Sequence, residues 1–431
     1  MSEKKQSDIS AHHQRLAKYN INPKYAMITL VLSVFVDVLG YSLVLPLLPR
    51  IAKIFGASDI MVGVLISSNA FSALLFAPLW GKLSDRFGRK PILIISQAGT
   101  LSAFLFLGFS DNLILIFASR ILDGIFGGQF PVIKAYISDI TTPKTRTGEI
   151  GKIMVGASIG MILGPTIGGL LGVINWRYPP LVASTLAVIS IILAWRVLVE
   201  SMPLERREDI IREKKEREQE VELQKVWSGT LVLRLVQRLF VFLITVMFNS
   251  SIALVIDKRY GGGPDVIGLV MTVGGIFAII YGGFLMKRLI RYYGEKQIFI
   301  FAMILVTSLC LIYPFLFELW MVFIFIIPFA FCMAFLPALV QANITKAVDE
   351  DQQGIASGWS TNIQSIAQTL APLIATGFLQ IGGLTLTIIR LNSYHLIGFT
   401  AAVFGGILLT LSFYDLRQHP NLYEENKRCD Q

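Results

Sequence analysis

Apolar runs of close to twenty residues, separated by short polar gaps, recur along the whole chain. At about 1.5 Å of helical rise per residue, each run matches the ~30 Å hydrocarbon layer of a bilayer. Lipid offers no hydrogen-bond partner to a backbone group, so only helices and closed barrels cross it. The runs lack the alternation of a barrel strand, which leaves helices. Composition agrees: 54% of the 431 residues are hydrophobic and only 16% are charged, against roughly a quarter charged in soluble domains.

The sequence predicts an all-α membrane protein with twelve spans. These are Ala26–Leu48, Ile60–Trp80, Pro91–Phe109, Leu113–Ile137, Ile153–Val173 and Pro180–Val199 in a first half. Leu231–Ile256, Val266–Met286, Ile298–Phe317, Trp320–Val340, Gly358–Gln380 and Tyr394–Phe413 form a second. The polar eleventh span and the seventh, with Arg234 and Arg238 near its start, fit the pattern least well.

An even number of spans puts both termini on one side. The tails and the loops after even-numbered spans hold 27 Lys and Arg, the loops after odd-numbered spans six. Positive residues stay in the cytoplasm, so both termini are expected there, in a plasma or inner membrane. The same asymmetry accounts for the net charge of +9 without a nucleic-acid partner. The polar first 25 residues lack a cleavage site and read as a cytoplasmic tail, not a signal peptide. Cys310, Cys332 and Cys429 imply no disulfide framework.

Residues 201–228 contain the mixed-charge segment Glu205–Lys225, expected to be a solvated, partly helical linker. It separates a bundle over 26–200 from a bundle over 229–415, and residues 416–431 form a second cytoplasmic tail. The halves look duplicated. Gly88 and Gly294 lie 206 positions apart, as do Lys90 and Lys296, Pro131 and Pro337, and Gly148 and Gly354. Repeats of this kind occur in transporters that rock two halves about a central site.

No phosphate loop, zinc-protease or serine-hydrolase motif is present; Gly148–Lys152 has the wrong spacing for a phosphate loop. An ATP-driven pump or an enzyme is therefore not expected, and neither a metal nor a cofactor is called for. Free energy would come from an ion or substrate gradient.

Gly81–Pro91 joins spans 2 and 3 and reads as a tight turn. Gly81 would permit close helix approach and Gly88 a positive φ. Asp85 is suited to a helix N-terminus, and Arg86, Arg89 and Lys90 would hold the loop in the cytoplasm. This stretch resembles the signature loop of the major facilitator superfamily. Asp37–Tyr41 followed by Leu45–Pro49 is similar to the first-span motif of its twelve-span drug:proton antiporters. Arg120–Gly124 resembles their fourth-span motif, and Gly160–Gly169 the fifth-span antiporter motif. The nearest subgroup is the tetracycline-resistance efflux proteins and similar multidrug exporters.

The resemblance implies two pseudo-symmetric six-helix bundles and proton-coupled export of small lipophilic molecules by alternating access, from a monomer in the bilayer. It implies that Asp85 pairs with the start of span 11 and Arg89 with Asp139. Gly81, Asp85, Arg86, Gly88, Arg89 and Asp139 would then latch one conformation. Proton-coupled symport or uniport of a metabolite is an alternative. A membrane sensor or integral-membrane enzyme is another, made less fitting by the charges inside the membrane.

Those charges are costly in lipid and point to function. Asp37 is about 16 Å into span 1, and Asp123 about 15 Å into span 4 from the other face. Arg120 precedes Asp123 by one turn and can pair with it. On a continuous helix Arg120, Asp123, Gly127, Pro131 and Lys134 share one stripe. Asp37 is the first candidate for the proton carrier; Asp123, if not neutralised by Arg120, is the second. Arg234 and Lys134 are read as reaching along the helix to the interface, and Arg238 is left without a role.

Gly156, Gly160, Gly164, Gly168 and Gly172 recur every fourth residue in span 5, with Pro165 and Gly169 among them. Such a stripe packs closely against another helix, and the family resemblance adds a seal against leak. Tyr41, Asn69, Gln97, Asn249, Gln341, Asn362 and Gln368 are candidates to line a substrate cavity. The third-span region Gly99–Phe104 holds no acidic residue, unlike the tetracycline exporters. A lipophilic or cationic drug or a metabolite therefore fits at least as well as a metal–tetracycline chelate.

Overall fold

The structure, a computed structural model, describes residues 18–19, 21–202, 207, 228–348, 352–386 and 389–419. In chain order the long helices are α1 Pro23–Val44, α2 Asp59–Phe87, α3 Arg89–Gly108, α4 Leu113–Ile140, α5 Pro143–Ile174 and α6 Tyr178–Val197. They continue as α7 Gly229–Tyr260, α8 Pro264–Tyr293, α9 Glu295–Phe315, α10 Leu319–Lys346, α11 Gln353–Ile381 and α12 Ser393–Gln418. Eleven of these are long and apolar enough to cross a membrane; α11 is as long but more polar. The expected linker and both tails lie largely outside the described residues.

Local chemistry sets the starts. Asn22 precedes Pro23 and accepts from Lys24 N–H at 3.1 Å. Asn112, Ser228 and Asn392 cap α4, α7 and α12 in the same way. Each side-chain oxygen satisfies a donor that the first helical turn leaves open.

Three features differ from the sequence reading. The stretch Gly81–Phe87 is not a turn but the last part of α2, and the reversal is made at Gly88 alone. Gly88 has φ 102°, which a side chain would strain. Among the described residues, nothing lies within 4 Å of where a Cβ on Gly81 would stand. α4 is interrupted at Gly127–Gly128, between Phe126 and Gln129. Arg120 and Asp123 are buried, whereas Gly127, Pro131 and Lys134 are not covered by protein. A short hairpin, β1 Gly383–Leu386 and β2 Ile389–Asn392, follows α11, with Gly383 opposite Asn392.

By contact the chain forms two compact units: Met1–Leu47 with Ser72–Glu222, and Leu48–Phe71 with Leu223–Gln431. In the second unit, Ser67 Oγ donates to Thr369 O at 2.6 Å and Asp59 N–H to Gln380 Oε1 at 2.9 Å. These bonds, with Gly63 lying against Thr376, explain why Leu48–Phe71 groups there. A cluster of Phe248, Phe325, Phe329 and Tyr313 fills this unit's interior, Phe248 and Phe329 with ring centroids 4.2 Å apart.

In the first unit α1 is the central element, packed against α5 and α6. The α5 glycines face it in register. Gly156 meets Val31, Gly160 the backbone of Phe35 and Leu39, Gly164 Ser42, Gly168 the backbone of Leu43, and Gly172 Leu47. Ser42 Oγ donates to Gly160 O at 2.9 Å across this seam. A Cβ at Gly168 would lie 2.1 Å from Leu43 O, with only backbone to yield. Gly168→Val is expected to cost on the order of 3 kcal/mol or to prevent assembly, seen as a lowered unfolding temperature in detergent. Gly151→Ala, with nothing within 4 Å of the added carbon, should leave that temperature unchanged.

Candidate functional site

Asp37 lines a small cavity inside the first unit with Ser33, Gln97, Thr100, Gln129 and Ser190. Gln97 Nε2 donates to Ser190 Oγ at 3.1 Å, and Ser190 Oγ to Ser33 Oγ at 3.2 Å. The other polar atoms here are less well served. Gln97 Oε1, Thr100 Oγ1 and both amide atoms of Gln129 are buried without a hydrogen bond of normal geometry among the described residues. Gln129 faces Asp37. Each such atom costs about 1–3 kcal/mol if left dry. The cavity therefore suits water or a polar guest. Among the described residues, Asp37 has no ion-pair partner.

The fourth-span pair forms as the spacing allows: Arg120 Nη1 lies 3.3 Å from Asp123 Oδ2, both side chains buried. Asp123 is near enough to Asp37 and Tyr41 for its charge to be felt at both, and Arg120 at Tyr41. α1 and α4 thus bring Asp37, Tyr41, Arg120 and Asp123 into one electrostatic neighbourhood.

At the α2–α3 reversal, Arg89 is the hub. Its Nη1 lies 2.7 Å from Asp85 Oδ1, and its Nε 3.3 Å from Asp139 Oδ2, which also accepts from Ser201 Oγ at 3.0 Å. Arg86 is exposed. The sequence reading missed Glu200. Its carboxylate accepts from the N–H groups of Arg89 at 2.8 Å and Lys90 at 3.1 Å, so Glu200 meets the α3 N-terminus. No motif flags Glu200, because it comes from the far end of α6.

The second unit echoes this corner with the charges exchanged. Gly294 turns α8 into α9 with φ 85° and ψ 151°, close to the 102° and 158° of Gly88. Here Glu295 on α9 meets Lys346 on α10 at 2.7 Å.

Arg234 does not reach along its helix to an interface. It is 0% exposed, its Nε 3.2 Å from the equally buried Asp415 Oδ2 on α12. Its Nη1 also donates to Asn343 O. Asp415 Oδ1 lies 3.3 Å from His419 Nδ1. One turn along α7, Arg238 donates through Nε to Ser360 O at 3.1 Å and through Nη2 to Gln364 Oε1 at 3.1 Å. Its Nη1 reaches Pro337 O at 3.5 Å, and the guanidinium lies over the Phe242 ring.

The candidate cavity residues are not all brought together. Tyr41 and Gln97 belong to the first unit, and Asn69, Asn249, Gln341, Asn362 and Gln368 to the second. Gln97 is buried and Asn249 exposed; the others are half-buried. Gln341 accepts from Ser360 Oγ at 2.6 Å. Pro165 and Gly169 lie buried within α5, which runs through the proline without interruption.

The sequence profile described as Major Facilitator Superfamily matches residues 30–256 and 234–428, nearly the whole chain. The chain belongs to the major facilitator superfamily. Among curated relatives, it is 31% identical over 356 residues to the Escherichia coli "Tetracycline resistance protein, class C", covering 81% of this chain and 89% of that one. It is 27% identical over 399 residues to the Bacillus subtilis "Multidrug resistance protein 2", covering 86% and 97%. Solved structures agree on the fold. The human organic anion transporter MFSD10 (TETRAN) has a TM-score of 0.66 at 20% identity, covering 90% of this chain and 99% of that one. An inward-facing bacterial homolog of the human lysosomal transporter Spinster has a TM-score of 0.71 at 15% identity, covering 94% and 99%.

Apart from Leu48 and Pro49, the superfamily motifs quoted from the sequence fall in the first unit, while two of the four buried arginines among the described residues, Arg234 and Arg238, lie in the second. Arg234 is held by one carboxylate in a fully buried setting. Asp415→Asn removes the buried partner charge and is expected to cost about 3–5 kcal/mol. The double replacement Arg234→Met with Asp415→Leu should recover most of the loss. Thermal unfolding of both variants in detergent reads the difference.

Proposed function

We propose that this chain exports small lipophilic molecules in exchange for protons, by alternating access between its two units. The observation that carries the reading is Asp37: a carboxylate at membrane depth in a polar cavity, with no cation paired to it among the described residues. Asp123, Asp139 and Asp415 each have an arginine. Asp37 is therefore the carboxyl left to load and release a proton as its exposure alternates. Asp123, tied to Arg120, shapes the field around it. The names of the curated relatives, tetracycline and multidrug resistance proteins, support the substrate class.

In this reading Gly81, Asp85, Arg86, Gly88, Arg89 and Asp139 serve the latch of one conformation. The glycine seam of α5 on α1, over Gly156–Gly172, keeps the first unit tight against leak. Tyr41, Asn69, Gln341, Asn362 and Gln368 contribute to the substrate path. The excess of Lys and Arg on one set of loops supports a multi-pass plasma or inner membrane protein with both termini in the cytoplasm. It works as a monomer, without cofactor, nucleic acid or enzymatic step.

Purified protein in liposomes carrying a pH-sensitive dye provides the test. Wild type should move protons when a transported molecule from a lipophilic panel is added on one side, with substrate and proton running in opposite directions. Asp37→Asn should lower that flux at least about tenfold at equal protein. Undiminished coupled flux in Asp37→Asn would remove Asp37 from the mechanism, and substrate and proton moving together would make the chain a symporter. Asp85→Asn should reduce transport while the amount of folded protein stays unchanged; a wild-type rate would remove Asp85 from the latch.

A further inference from the structure

Arg238 has no part in the proton-coupling reading, and its surroundings are unusual for a cation in a membrane helix. It is 8% exposed and lies ten residues into α7, ~14 Å from the helix start. Its contacts come from α10 and α11, at Pro337, Ser360 and Gln364, and from Phe242 on its own helix. Every oxygen acceptor among them is a neutral carbonyl. α10 and α11 contain no Asp or Glu, and α7 has only Asp257, nineteen residues further on. The nearby carboxylate on α12, Asp415, is taken by Arg234 and His419. Among the described residues, therefore, no acid is paired with Arg238.

A charge is expensive at this depth unless something uses it. The three carbonyl acceptors are neutral and leave the positive charge uncompensated. An arginine carries five N–H donors. Three are directed at the three carbonyls, the Pro337 contact at the 3.5 Å limit of a hydrogen bond. Two donors of the fork remain. The bond through Nε is buried, whereas those through Nη1 and Nη2 are only part-buried, so the fork end is the accessible end. Phe242 lies 4.8 Å from Cζ, offering an aromatic face beside the charge. Gln341, whose oxygen accepts from Ser360 Oγ, has its amide N–H groups as further donors close by.

We infer that Arg238 binds a carboxylate of the transported molecule, so that the exported compounds include lipophilic organic acids. The inference rests on the efflux reading above and narrows its substrate class. A planar guanidinium fork matches a carboxylate in two parallel hydrogen bonds. The guest supplies the missing negative charge, and Phe242 receives its apolar body. Ser360 O and Gln364 Oε1 hold the arginine in place before the guest arrives.

Three probes with one aromatic body and different charge test this: naphthoate, naphthamide and naphthylmethylammonium. Binding to full-length protein in detergent is measured by titration calorimetry, and proton flux in liposomes with the same three. Wild type should bind naphthoate about tenfold more tightly than naphthamide. Arg238→Gln should abolish that preference while changing naphthamide binding less than about twofold. Arg238→Lys, which keeps the charge but not the fork, should retain part of it and covers the case in which the glutamine variant does not fold. A purely structural role would weaken all probes alike. The inference is overturned if wild type binds naphthoate no better than naphthamide, or if Arg238→Gln keeps the preference. Proton flux with naphthamide or naphthylmethylammonium but not naphthoate overturns it and leaves the efflux reading standing. Selective naphthoate binding without proton flux from any probe supports the anion site and counts against the efflux reading.

Discussion

Hydrocarbon supplies neither hydrogen bonds nor counter-charge, so a polar group at membrane depth must be met by protein, water or cargo. Most of the architecture near the buried charges follows from that demand. Arg89 is met by Asp85 and Asp139, Arg120 by Asp123, and Arg234 by Asp415 and a backbone carbonyl. Two groups stand outside the pattern, one in each unit. Among the described residues, Asp37 has polar neighbours without a paired cation, and Arg238 has carbonyl neighbours without a paired acid. These two are the groups on which the proposed proton and carboxylate sites rest.

Getting α1 close enough to present Asp37 depends on a packing solution. With lipid on the outside, helices gain little from hydrophobicity and must gain from close contact. The α5 glycines let the backbone of α1 approach until Ser42 bonds across to Gly160. Larger residues would separate the helices and open the unit that encloses the Asp37 cavity. The α5 glycine stripe and the placement of Asp37 are in this sense one feature.

The two units share a turn and differ in the ion pair beside it. The reversal at Gly88 is repeated at Gly294 with nearly the same backbone angles, because a left-handed φ between two helices excludes most side chains. The ion pair beside it survives with its signs exchanged, Arg89–Asp139 in one unit and Lys346–Glu295 in the other. A salt bridge works in either polarity; a backbone turn has no such freedom.

Much of this was legible in one dimension. The lengths of the apolar runs announced twelve long helices, eleven of them apolar enough to cross a membrane. The i, i+3 spacing announced the Arg120–Asp123 pair, and the four-residue glycine period announced a packing face. Its partner could not be read, because a small-residue stripe fits any helix that approaches; α1 is known only from the fold. The turn at Gly88 was legible, but the extent of α2 and the break in α4 were not, since local sequence does not reveal where a helix continues or breaks. Glu200 capping α3 and Asp415 neutralising Arg234 join residues more than one hundred positions apart. Local sequence alone thus determined which charges lie in the membrane. Only the tertiary structure decided which are neutralised, because the partner that cancels a buried charge is set by helix packing and not by sequence distance.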